Sequence, residues 1–436
     1  MTARVSARPT RPATTAPPRA NPGTTLEIGP QLFEVHASKV VLRAQEATWL
    51  TARACDPLVS TEDLCWVLER GDGRLSDDAG SSVVYQASSL GGVAVIRAYW
   101  VRQPMICQRI VLYTHPSLPT FACGSHHSLA VCEDGRLLAW GENRYRQLAD
   151  EHVADQPLPT LVRLQRDLIG VGAGIAHTVA LRNDGSLLAW GDNPFGQLGD
   201  GSRLPSASPA VSGRGFSSFS VGIAHSVALR DDGTVMAWGF NYFGQLGDNT
   251  TTNRDTPVAV SGLRNVVAVS AGFGHSLALG MDGRVLSWGG NDFGQLGDGS
   301  IIDRRAPGFV NVQQAVISVH AGLNHSLALT ATGEVLAWGR NNSGQLGDGT
   351  VGQSNAPKLV PGLNNVVALS CGDEYALALK SDGTVLSWGR NDIGQLGNGT
   401  TQNGFTPGKI PALHDIVAIS AGDTHAMALR HDGALF

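Results

Sequence analysis

Lysine is nearly missing from this chain. Of 32 Lys plus Arg residues in 436, only Lys39, Lys358, Lys380 and Lys409 are lysine, an arginine bias that fits a GC-rich, bacterial genome. Charge is sparse overall: 16% of residues are charged and the formal net charge is −5, which gives no general attraction to nucleic acid. No apolar run approaches membrane-spanning length, and no hydrophobic signal core stands near the N-terminus. A cytoplasmic protein is expected, with export lacking a classical signal peptide as the alternative. Six cysteines, at 55, 65, 107, 123, 132 and 371, form neither zinc-ligand pairs nor a dense disulfide framework, so a reducing compartment is expected. No Ser-His-Asp, Cys-His or H-E-x-x-H arrangement stands out either. The expectation is a protein that is not an enzyme and uses no cofactor or metal.

What is present is one sentence of sequence, repeated. Its clearest copy runs from Val266 to Pro307, and its Trp-Gly pair recurs at Trp140, Trp190, Trp238, Trp288, Trp338 and Trp388, at intervals of 50, 48, 50, 50 and 50 residues. A histidine recurs with it, at His127, His177, His225, His275, His325 and His425, with Tyr375 standing in once. A fixed period of this size marks a unit that buries its apolar faces by stacking on copies of itself. Each copy predicts four short strands: Val266–Ser270, then His275–Leu279, then Arg284–Gly289, then one after Pro307. Asp282-Gly283 predicts a type I′ hairpin turn between the second and third. With 54 glycines and 6% aromatics, an all-β array of four-stranded blades fits better than helices.

The stretch W-G-x-N-x-x-G-Q-L-G-x-G, joined to A-G-x-x-H-S-L-A-L and D-G-x-V, resembles the regulator of chromosome condensation repeat. The resemblance covers Leu118 to Phe436 and implies a seven-bladed β-propeller. The first copy departs from the pattern: Arg144–Asp150 lacks the glycines of G-Q-L-G, so that loop is expected to bend differently.

Three regions are expected: a disordered Pro/Thr/Arg-rich tail over 1–25, an immunoglobulin-like β-sandwich over 26–108 and the propeller over 109–436. The four arginines of the tail could meet phosphate or simply be solvated. In the sandwich region W-V-L-E-R-G-D-G-R-L-S, V-V-Y-Q-A and V-A-V-I-R-A resemble bacterial immunoglobulin-like domains. The last repeat stops three residues past Asp432-Gly433, which leaves its outer strands missing. Prolines 257, 307, 357 and 407 stand 18 residues before the histidine position, and the equivalent place before His127 is Arg109. The strand Ile110–Tyr113 is therefore expected to supply the outer strand of the seventh blade. The competing assignment makes it the last strand of the sandwich, and the abrupt end also reads as a fragment's.

For function, a ring of equivalent histidines could suggest a metal, but side chains on separate blades stand too far apart to share one ion. Each is expected to hydrogen-bond a neighbouring turn. The aspartates of G-Q-L-G-D-G (Asp200, Asp248, Asp298, Asp348) are expected to be turn residues. Gly170-Val171-Gly172-Ala173-Gly174 precedes a strand rather than a helix, so it is no dinucleotide loop. In antiparallel blades the first-to-second and third-to-fourth loops emerge on one face. Near the channel that face carries Ile175, Ile223, Phe273 and Leu323, then Asp373, Glu374 and Asp423. Farther out stand Tyr242, Arg254, Arg304, Arg305, Arg340 and Arg390, residue types that suit protein interfaces. The opposing reading has the apolar residues plug the channel and the arginines solvated.

A monomeric, non-enzymatic module that binds another protein through this face is the first expectation, and a nucleic-acid partner is not expected. The resemblance implies a second, guanine-nucleotide exchange on a small GTPase by a wedge hairpin, although repeat spacings of 48 to 50 leave no insertion to carry a wedge. A secreted inhibitor or adhesion propeller is the third.

Overall fold

The computed structural model describes residues 33–37, 41–42, 47–54, 63–70, 74–86, 92–101, 103–114, 120–132, 134–163 and 167–436. The tail over 1–25 lies outside them. Among the described residues no helix is long and apolar enough to cross a membrane.

The fourth repeat illustrates the blade. Strands Val266–Ala271, His275–Gly280, Val285–Gly289 and Arg304–Phe309 pair in sequence order, all antiparallel. Six such four-stranded sheets run from Phe121 to Lys409, and a seventh sheet pairs Ile416–Ala421 with Ala426–Arg430. A bridge from Leu429 to Leu435 begins the third strand of that last blade. The fourth strand of each complete later blade starts ahead of its proline, at Arg304 rather than after Pro307. Proline is tolerated there because the outer edge strand has no further partner for the N–H it lacks.

The blades close into a ring at a set of glycines. A Cβ placed on Gly124, Gly174, Gly222, Gly272, Gly322 or Gly372 would collide with the carbonyl oxygen of the next blade's glycine, and one on Gly422 would collide with that of Gly124. The first strands thus approach too closely around the axis for any side chain at this position. Blades then interlock through side chains. The indoles of Trp190, Trp238, Trp288, Trp338 and Trp388 are fully buried, and each donates to the carbonyl of a glutamine in the preceding blade, at 2.8–3.0 Å. The glycine after each tryptophan takes a left-handed backbone, as at Gly289 (φ 103), where a Cβ would strike the carbonyl of Gly274.

The histidines are the second interlock. Nε2 of His127, His225 and His275 lies 2.9–3.1 Å from the hydroxyl of Thr178, Ser276 and Ser326, one blade on. Those three hydroxyls each donate to a glutamine carbonyl, so they must accept from the imidazole; Nε2 carries the proton. The sequence reading placed these bonds on a turn; they go instead to the second strand of the neighbouring blade.

Three other expectations are corrected. Strand Gln103–Thr114 pairs along its length with Gly92–Trp100 and, in parallel, with Val41–Leu42. It therefore belongs to the N-terminal sheets, and Ile110–Tyr113 does not complete the seventh blade. The Asp-Gly turns are not type I′, because only the glycine has positive φ, as at Gly283 (φ 77). They are type I turns followed by a left-handed glycine, and the Asp282 carboxylate accepts from the amide of Arg284 at 3.1 Å. Finally, the first-blade loop bends as its glycine-bearing equivalents do. Arg146 (φ 67) and Ala149 (φ 58) take the left-handed conformation of Gly196 (φ 83) and Gly199 (φ 68), with the same backbone hydrogen bonds.

The N-terminal region forms two four-stranded sheets. One orders Phe33–Ala37, Ala47–Ala54, Ser82–Gln86 and Arg74–Leu75; the other orders Val41–Leu42, Gln103–Thr114, Gly92–Trp100 and Leu64–Arg70. Leu50, Val83, Tyr85, Trp66, Ile96 and Ala98 are buried from the two sheets. We propose an immunoglobulin-like sandwich on this strand order.

Candidate protein-interaction face

The loops that follow the first and third strands of each blade lie together, as the strand directions require. Gln295 of one third-to-fourth loop reaches Asn324 of the next blade's first-to-second loop at 3.4 Å, and Ser343 reaches Glu374 at 3.2 Å. Each third-to-fourth loop is held from within. In the fourth blade Asn291 accepts from the amide of Leu296 at 2.9 Å, and its amide group donates to Asp298 and to the carbonyls of Ser300 and Ile302. The motif asparagine is a staple that fixes a long loop without regular structure. The motif aspartates cap the same loops: Asp298 and Asp348 each accept from the amide two residues on, at 2.9 and 3.0 Å.

The axial channel is a cavity of about 440 Å³. Ile175, Ile223, Phe273 and Leu323 line one side of its mouth on this face, and Asp373 and Asp423 the other, as the sequence placed them. Backbone bonds fix the mouth: the amide of Ile175 donates to the carbonyl of Ile223, that of Leu323 to Asp373 and that of Asp423 to Gly124, at 3.0–3.3 Å. Burial first, then the charge of Asp423 and a hydrogen bond with it, push Asp373 up to about 8. Glu374 differs. It is matched by Arg340 at 3.0 Å, and the guanidinium of Arg340 also covers the ring of Phe293.

The outer residues divide. Arg254 is paired with Asp248 and Arg304 with Asp298 inside their own loops, and Arg390 with Asp392 at 2.6 Å. Burial works to raise the carboxyls of Asp248 and Asp298, but hydrogen bonds from Thr250 and Arg254, and from Ser300 together with the Arg304 charge, outweigh it and hold both low. These arginines are part of the loop frame. Arg305 is exposed and its backbone packs over Gly244 of the preceding blade. Tyr242 stands out from the surface, 71% exposed.

Sequence reading missed the aromatic neighbours of Tyr242. Phe195 packs on Phe240 at 4.9 Å between ring centroids, Phe240 on Tyr242 and Phe243, Tyr242 on Phe243 at 5.1 Å, and Phe243 on Phe273 at 5.9 Å. One continuous aromatic row thus crosses blades two to four and ends at the channel. The signal was available: the residue before the first glycine of G-Q-L-G is Phe195, Phe243 and Phe293 in these blades, but Ser343 and Ile393 in the next two. The face is therefore aromatic over one arc and charged over the next.

The comparisons agree with the repeat reading. The RCC1-like domain model matches residues 202–436, and the regulator of chromosome condensation (RCC1) repeat matches 120–147, 169–197 and 134–181. The RCC1 domain-containing protein RUG3, mitochondrial, of Arabidopsis thaliana is 39% identical over 46 residues, 11% of this chain and 10% of that protein. The chain thus aligns with only about a tenth of that curated relative's length. Human WBSCR16 superposes with a TM-score of 0.65 at 23% identity, covering 74% of this chain and 89% of that one. Prp20p of Saccharomyces cerevisiae, a structure described with its binding to Gsp1p and histones, gives 0.63 at 23% identity, covering 71% and 81%. At these identities the superpositions show the fold alone. The domain model spans more than half of the chain, the repeats account for the blades before it, and the chain belongs to the RCC1-like domain family of β-propellers.

Proposed function

We propose that this chain is a non-enzymatic module that binds another protein through its long-loop face. The observation that carries the reading is the aromatic row from Phe195 to Phe273 with Tyr242 exposed at its centre. Leu204, Ile302 and Val351 are exposed on the same set of loops, at whose ends the paired Arg254 and Arg304 stand. Exposed aromatic and aliphatic side chains on loops that also carry ion pairs are costly to leave in water and suit an interface. The test is a pull-down on immobilised full-length chain with mass-spectrometric identification, beside Tyr242→Asp on the loop face and Arg264→Glu on the opposite one. Loss of the partner with the first variant and retention with the second is the expected pattern. Loss with Arg264→Glu alone places the site on the wrong face.

A second reading is guanine-nucleotide exchange, favoured by the fold shared with Prp20p and that protein's binding to Gsp1p. It requires that a recovered partner be a small GTPase and that the chain speed nucleotide release from it. A partner of any other class removes this reading.

A further inference from the structure

We propose that the channel mouth reads a basic–apolar segment of the partner: an aromatic or aliphatic side chain seated among Ile175, Ile223, Phe273 and Leu323, with an arginine or lysine beside it meeting Asp373 and Asp423. The proposal rests on the loop-face reading and names the chemistry of what that face receives.

Some charges around the mouth are already matched. Glu374 has Arg340, and Arg390 has Asp392. Among the described residues neither Asp373 nor Asp423 has a cation within 4.0 Å, and each has the other. Two carboxyls held together and partly desolvated are a poor arrangement alone. Burial first, and the Asp423 charge next, keep Asp373 protonated to about 8 against the weaker pull of Arg390, and a cation placed between the two carboxyls offsets both. The other half of the mouth selects for the opposite quality. Ile175 is 42% exposed, and Phe273 closes the aromatic row, so an apolar side chain entering there is covered on the channel side and along the row. A cavity of about 440 Å³ has room for a few side chains rather than a folded element, so the occupant is a protruding segment.

Charge decides among occupants. An acidic peptide or a phosphate backbone would bring like charge to the two aspartates, and a purely apolar segment would bury them without a counter-ion. A basic residue next to an apolar anchor satisfies both halves.

The test is to pan a random dodecapeptide phage library on the immobilised full-length chain, and in parallel on Asp373→Asn/Asp423→Asn and on Phe273→Ala. Both variants are first checked for a single cooperative thermal unfolding transition, which shows that the ring is intact. The expected result is enrichment of clones that set Arg or Lys next to Phe, Leu or Trp, with recovery falling at least about tenfold on each variant. Enrichment of acidic clones, an enriched set indifferent to the Asn pair, or no enrichment at all overturns the proposal. Failure here together with loss of the partner on Tyr242→Asp in the pull-down leaves the loop-face reading standing, so the two can be told apart.

Discussion

Nε2 of His425 lies 2.8 Å from Oγ of Ser128, and these two atoms join residues 297 positions apart. The bond is the same one that links His225 to Ser276 in neighbouring blades, made here between the last blade and the first. Around it the amide of Cys123 donates to Ser420 at 3.3 Å, Thr424 donates to the carbonyl of Ser125 at 3.1 Å, and Met427 packs on Phe121 and Cys123. The seam is thus sealed by the inner strands, although Gln103–Thr114 lies elsewhere. Trp140, which faces it, is only half-buried, unlike its five counterparts. Ser128→Ala leaves a partly buried imidazole without its acceptor and should cost about 1–3 kcal/mol in urea unfolding. Hydrogen exchange in Phe121–Cys123 should speed up before that of the other blades.

One link in the ring lacks its hydroxyl. By the 51-residue offset seen elsewhere, His325 should meet residue 376, which is alanine, while the carbonyl of Gln345 that would orient the hydroxyl is in place and bonded to Trp388. Ala376→Ser should therefore raise stability by about 1 kcal/mol. A serine that destabilises by urea titration contradicts this account of the slot.

The first-blade loop holds two side chains in a backbone conformation that its equivalents give to glycine. A left-handed non-glycine residue costs roughly 1–2 kcal/mol, so Arg146→Gly and Ala149→Gly should each stabilise, less the extra freedom that glycine has when unfolded. Midpoints of thermal unfolding for the two single variants check it. The same exchange at Asp134, which is not left-handed although Gly135 beside it is (φ 76), should not stabilise.

Acid should unfold the propeller early. Burial holds His127, His225 and His275 at about 3 and His177 and His325 at about 4, against an ordinary 6.5, with neighbouring histidines adding to the effect at some of them. The unfolded chain takes up protons from about pH 6.5 downward that the folded ring refuses. Stability is full above that value and lost as pH falls toward 4, by ~1.4 kcal/mol per unit for each histidine. Asp373 acts oppositely: its folded value of about 8 lies above the ordinary 3.8, so it lowers stability as pH rises between the two. Five histidines outweigh one aspartate below 6.5. From there to pH 8 a shallow decline should remain, and Asp373→Asn should abolish it in denaturant titrations across pH.

Most of the ring was legible because its signals are local and repeated. Trp288, Gly289, His275 and the strand alternation around them each do one job, six or seven times over. What escaped depended on geometry that spacing does not carry. The turn at Asp282-Gly283 was misread because one left-handed glycine and two produce the same dipeptide. The Arg144–Asp150 loop was misread because Arg146 and Ala149 accept strain where Gly196 and Gly199 have none, held there by the same asparagine staple. Ile110–Tyr113 has a strand's composition in either domain, and only its pairing with Gly92–Trp100 decides. At the site, the two halves of the channel mouth were visible as residue types at equivalent positions. The aromatic row was not, since Phe195, Phe240 and Phe243 meet across blades. The arginines at 254, 304 and 390 looked like free anchors until their aspartate partners were placed.

Hydrogen–deuterium exchange of the full-length chain, alone and with the protein recovered on it, tests the central claim most directly. The account predicts slowed exchange in the loops around 222–224, 240–247, 272–274 and 290–303, with the turns at 231–233 and 281–284 unchanged. Protection confined to those turns, with the loops exchanging as in the free chain, contradicts it.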